Sequence, residues 1–145
     1  MIARKLCLLT LLCLSILTLV LPCACSKKTE PAIPGQVIED MSIEEAFALM
    51  EDHWGSDDFV IIDLRDSEAY ARGHLEKAIN LDPGASDFDR QLDELDREKV
   101  YLLYSHADDV SGEVMDVMAG EGFMEVHNML GGMEHWEEIG LPKVK

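Results

Sequence analysis

The rhythm of apolar and polar positions changes several times along this 145-residue chain. From Leu6 to Leu21, "LCLLTLLCLSILTLVL", no position is charged. Beyond Gln36 the pattern becomes an alternation of short apolar runs with stretches of helical period. "QVIEDMS" reads as a short strand ending at Ser42, an N-cap whose Glu45 three residues on completes a capping box. "IEEAFALMEDH" then places Ile43, Ala46, Phe47 and Met50 on one helical face. "DFVIIDLRD" is a continuous apolar run rich in β-branched residues, the mark of a strand covered on both sides. A brief helix is expected from Ser67 through "EAYARG", and a strand over Ala78–Leu81 closed by Pro83–Gly84. "SDFDRQLDELDRE" predicts an amphipathic helix with Phe88, Leu92 and Leu95 inward. "VYLLYS" predicts a third strong strand, followed by a helix over Val110–Glu121 that ends at Gly122. "MEVHNML" is a last strand, and Gly131–Gly132 turns the chain into "MEHWEEIG", a short helix stopped by Gly140 and Pro142. Strands alternating with helices predict an α/β fold: a single domain over 37–145 with about five parallel strands and helices on both faces.

The segment before this pattern reads as a targeting signal. Arg4 and Lys5 precede the apolar run, Pro22 breaks it, and "CACSKK" restores charge. Its end resembles a bacterial lipobox, in which a small residue precedes a Cys that is lipidated. Ala24–Cys25 fits that pattern, although Pro22 stands where a lipobox favours Leu. The expected division is a lipoprotein-type signal peptide over 1–24, a palmitate-bearing Cys25 and a flexible tether over 25–36. An uncleaved anchor remains open, because Leu6 to Cys25 supplies 20 uncharged residues; so does plain secretion. All three place the domain outside the cytoplasm; the lipoprotein reading places it in the cell envelope, facing periplasm or exterior, with the membrane as partner through the lipid.

Composition narrows the chemistry. The four cysteines are Cys7, Cys13, Cys23 and Cys25, so no thiol follows residue 25. A cysteine nucleophile, a disulfide or a thiolate metal site is thereby excluded from the domain, short of a partner that supplies one. Without Arg4 and Lys5 the chain holds 10 Lys and Arg against 29 Asp and Glu, a net charge of −19. Such a surface repels nucleic acid and favours a basic protein or cationic small-molecule partner.

Two separated motifs carry a resemblance. "IIDLRDSEAYARGHLEKAINL" contains an Asp-x-Arg pair after a buried strand, then an acidic-aromatic turn and Gly-His: Asp63, Arg65, Glu68, Tyr70, Gly73, His74 and Ala78. Further on stand Gly122–Phe123, "VHNMLGGMEHW" and "IGLP". In this order they resemble the rhodanese-like domain family over about Val37 to Pro142. From the residues themselves, Asp63 and Arg65 are expected to tie loops together, since unpaired charges beside a buried strand are costly. His74 is expected to be a buried hydrogen-bonding residue. Gly131–Gly132 is expected to turn with positive φ, and Trp136 to lie in the core.

The resemblance implies that the loop after "VYLLY" is where active relatives carry a Cys and a basic, Gly-containing cradle. Here the degenerate loop is Ser105, His106, Ala107, Asp108, Asp109 and Val110, with Ser105 at the place of the Cys. A serine hydroxyl forms no persulfide and needs a general base to act as a nucleophile. Asp108 and Asp109 put negative charge at a helix N-terminus, which caps the helix and repels an anionic donor. No catalytic residue and no cofactor is expected, and the resemblance implies a pseudoenzyme that binds or scaffolds. Three alternatives stay open. One is sulfurtransferase activity of the family type. Another is a serine-dependent activity helped by His74, His127 or His135. The third is a divalent-cation site at His106, Asp108 and Asp109, with Glu113 near. Met115 and Met118, at helical spacing, are expected to be core filler rather than a copper site.

Overall fold

The computed structural model describes residues 33–145. The expected signal peptide, Cys25 and the tether up to residue 32 lie outside them. The elements run β1 (Val37–Met41), α1 (Ile43–Asp52), β2 (Phe59–Asp63), α2 (Ser67–Arg72), β3 (Ile79–Asn80), α3 (Phe88–Asp93), β4 (Val100–Tyr104), α4 (Asp108–Gly120), β5 (Glu125–Met129) and α5 (Gly132–Glu138).

The five strands form one sheet in the order β1-β5-β4-β2-β3, every neighbouring pair parallel. Parallel strands need crossovers, and the helices that make them cover both faces. On one side Ile43, Ala46 and Met50 of α1 and Met133 and Trp136 of α5 pack over Ile61, Leu102, Tyr104 and Met129. On the other, Leu92 of α3 and Val114, Met115 and Met118 of α4 cover Ile62, Tyr101, Leu103 and Val126. The fold is the expected one. Met115 and Met118 are buried there, as core filler should be.

Local signals act as written. The Ser42 hydroxyl accepts from the Glu45 amide at 3.3 Å while Glu45 accepts from the Ser42 amide at 2.8 Å, so the capping box starts α1. Asp66 starts α2 by accepting from the Ala69 amide at 2.8 Å. Boundaries differ in three places. The strand expected over Ala78–Leu81 pairs only at Ile79 and Asn80. The helix expected from Ser86 to Glu98 stops at Asp93, where Arg97 folds back to donate to the Asp93 and Leu95 carbonyls. The helix expected from Val110 begins two residues earlier, at Asp108, which shortens the loop after β4 to Ser105–Ala107. At the entry to the domain, Gln36 donates to the Ala119 and Phe123 carbonyls at 3.0 and 2.8 Å, fastening the chain to the end of α4.

Candidate functional site

The C-terminal ends of parallel strands are where α/β domains place their sites, and Ser105 follows directly on β4. Its side chain is buried. Its hydroxyl donates to the Ala107 carbonyl and lies 3.3 Å from the hydroxyl of Ser111, itself fully buried in α4. The backbone of the loop is held from the other side. Met133 and Glu134, in the first turn of α5, donate their amides to the Ser105 and His106 carbonyls at 2.9 and 3.2 Å. These two amides at the start of α5 are therefore taken by the loop itself.

The expected turn delivers that contact. Gly131 and Gly132 have φ of +82° and +54°, a region that L side chains occupy at a cost. A Cβ on Gly132 would stand 2.6 Å from the Ser105 carbonyl oxygen and 2.8 Å from that of His106. At the start of α4 the N-cap is Ala107, which has no side-chain acceptor. The capping assigned to Asp108 and Asp109 concerns side chains outside those described.

Beside the loop lies a buried polar network. The Arg65 guanidinium grips Asp63 through Nε–Oδ1 at 2.9 Å and Nη2–Oδ2 at 2.6 Å, and donates to the Gly73 carbonyl at 2.7 Å. Asn80 ties the same turn by donating to the Asp63 and Arg65 carbonyls. Tyr104 donates to Asp63 Oδ2 at 2.7 Å and accepts from the Leu75 amide at 3.1 Å. Burial, followed by the Asp63 charge, pushes the Tyr104 hydroxyl well above the ordinary tyrosine range, so it acts as a fixed donor. Asp63 and Arg65 thus tie loops together as expected. The sequence pattern marks Tyr104 only as a strand residue; its role follows from register, since Asp63 and Tyr104 are paired positions at the ends of β2 and β4.

An open cleft of about 310 Å³ adjoins this network. Arg65, Arg72 and Lys143 line it together with His106, Glu134 and Glu137. Three of the eight Lys and Arg residues in 33–145 therefore line one depression of an acidic domain. Lys143 hydrogen-bonds Glu137 and holds its carboxyl below the usual range. The cleft offers charges of both signs to a polar ligand.

The histidines go elsewhere. His74 is half-buried rather than buried, and its backbone pairs with that of Val144. Its ring stacks on Tyr70 with centroids 3.8 Å apart, and Nδ1 contacts the Tyr70 carbonyl at 3.0 Å. His135 contacts Glu138, and His127 contacts Glu125 and Glu39. None of the three reaches Ser105. Trp136 is in the core and donates to the Pro142 carbonyl at 3.0 Å. Among the described residues no group of three or more His, Cys, Asp or Glu is arranged to hold a metal ion. His106 is exposed, and the cation site suggested with Asp108 and Asp109 involves side chains outside those described.

A single α/β domain with a five-stranded parallel sheet, and a strand-to-helix loop held beside a buried Asp-Arg pair, defines the class. The family model described as "Rhodanese-like domain" matches residues 44–139, and the chain belongs to that family. It is 31% identical over 80 residues to the thiosulfate sulfurtransferase GlpE of Coxiella burnetii, covering 55% of this chain and 73% of that protein. To the protein of the same name from Actinobacillus pleuropneumoniae it is 27% identical over 107 residues, covering 74% and 94%. Among solved structures, the Alr3790 protein from Anabaena sp. superposes with a TM-score of 0.59 at 25% identity, covering 72% of this chain and 81% of that one. A rhodanese-related protein from Thermoplasma volcanium shares the fold, with a TM-score of 0.57 at 19% identity over 75% and 97% of the two chains.

Proposed function

We propose that this chain is a non-catalytic rhodanese-like module that binds a partner or polar ligand at the cleft beside Ser105. In this reading a lipid on Cys25 holds it outside the cytoplasm. The observation that carries the reading is the state of Ser105. Its hydroxyl is committed to the Ala107 carbonyl within its own loop, no histidine stands within reach of it, and no cysteine follows residue 25. A hydroxyl so placed has neither the acidity of a thiol nor a base to take its proton. The names of the sulfurtransferase relatives support the rival reading, transfer of sulfur from thiosulfate. A thiosulfate:cyanide assay on the wild-type chain and on Ser105→Cys separates the two. We expect neither to turn over, because residues 105–110 hold no Lys, Arg or Gly with which to cradle an anionic sulfur donor. Turnover by wild type overturns the proposal, and turnover by the variant alone leaves the serine as the whole of the block.

The anchoring half rests on the apolar run and on Ala24–Cys25. Cells fed radiolabelled palmitate should label the wild-type chain and not Cys25→Ala. Equal labelling of both removes Cys25 as the lipid site.

A further inference from the structure

Glu39 and His127 are directly opposite each other on β1 and β5, and Glu125 lies two residues before His127 on the same face. The His127 side chain is 5% exposed, while Glu39 and Glu125 are 58% and 38% exposed. Glu125 Oε1 stands 3.1 Å from Nε2. An ionised carboxylate only accepts, so Nε2 carries the proton and donates it there. That leaves Nδ1, which is buried and has no hydrogen-bond partner, with Glu39 Oε1 only 3.3 Å away. With Nδ1 bare, a buried nitrogen lone pair faces the oxygen of an exposed carboxylate, an arrangement that asks for a cation between them. A proton on Nδ1 would have to point at Glu39, and this contact lacks hydrogen-bond geometry.

We infer that Nδ1 of His127 and the carboxylate of Glu39 form a binding site for a divalent first-row transition-metal ion, oriented by Glu125. Two atoms each bound about 2.1 Å from a tetrahedral or octahedral ion stand about 3.0–3.4 Å apart, which matches the observed separation. A metal-bound imidazole whose other nitrogen donates to a carboxylate is the usual outer arrangement of such sites, and Glu125 supplies it. Imidazole with carboxylate suits Zn²⁺, Cu²⁺ or Ni²⁺ rather than Ca²⁺. The described residues gather no third ligand, so water completes the shell and the ion exchanges readily. His127 pairs with Leu102, three residues before Ser105. The site is therefore about 10 Å back along the sheet from the loop, and stands or falls independently of the proposed function. Its effect on the fold is to clamp the edge strand β1 to β5.

The test is calorimetric titration of Zn²⁺ into the full chain in detergent, in a background carrying Cys7→Ser, Cys13→Ser, Cys23→Ser and Cys25→Ser to remove thiol binding. We expect one ion per chain, binding abolished in His127→Gln and weakened in Glu39→Gln. Glu125→Gln should weaken it roughly 10–100-fold, as loss of an orienting carboxylate does. Glu39 is exposed, so its variant reports on the site even if His127→Gln folds poorly. Unchanged zinc affinity in Glu39→Gln and His127→Gln, or no heat from the unsubstituted background at millimolar Zn²⁺, overturns the inference.

Discussion

Arg65→Met should lower the unfolding free energy by about 3–5 kcal/mol, read as a shift in the urea midpoint. Asp63 is fully buried at the end of β2, and the Arg65 side chain that pairs with it is only 9% exposed. Methionine keeps most of the stem volume and removes the charge, so the buried carboxylate loses its ion partner. Tyr104 and the Arg65 amide still donate to it, but two neutral donors do not replace a bidentate guanidinium. The Gly73 carbonyl loses its donor as well. The double variant Asp63→Asn, Arg65→Met separates charge from packing. It removes the stranded charge and leaves an amide oxygen for Tyr104, so it should be more stable than Arg65→Met alone. If the double variant is as unstable as the single, the loss came from packing or from the Gly73 contact, and the charge argument fails.

This pair also marks how far sequence reasoning reaches. Two charges at the exit of an apolar run must find partners nearby, and Asp63 and Arg65 are close enough in the chain to find each other. The same logic placed Trp136 inside and required a left-handed turn at Gly131–Gly132. Tyr104 escaped because its partner is 41 residues away. Only strand register joins them, and alternation within "VYLLY" does not distinguish a tyrosine that needs an acceptor from one that merely packs. His127 escaped for the same reason, since Glu39 meets it only across β1 and β5. The position of the loop after β4 was legible, because an apolar run ending before a helix is a local signal. What holds the loop was not. Amides of Met133 and Glu134 reach carbonyls nearly thirty positions earlier, and backbone donors carry no signature in side-chain type.

Gly132→Ala tests that hold directly, and its expected cost is about 2–5 kcal/mol. Left-handed backbone contributes about 1–2 kcal/mol of this for any L residue, and φ at Gly132 is +54°. The remainder comes from contact, at about 1–3 kcal/mol for an atom forced into a filled space. The added Cβ would lie 2.6 Å from the Ser105 carbonyl oxygen and 2.8 Å from that of His106. Both obstacles are backbone, so neither can rotate away as a flexible side chain would. Relief requires α5 to withdraw from the loop, which breaks the Met133 and Glu134 contacts and exposes those amides. Gly140→Ala is the control. It has a comparable positive φ of +77° with nothing within 4 Å of the built Cβ, so it should show the backbone cost alone. Hydrogen exchange distinguishes the two causes. In Gly132→Ala the Met133 and Glu134 amides should lose protection even where the sheet keeps it, and in Gly140→Ala they should not. Equal stability losses in both variants, with protection of Met133 and Glu134 retained, would mean that close approach to the loop contributes nothing. The clasp on Ser105 would then not be what keeps the loop closed.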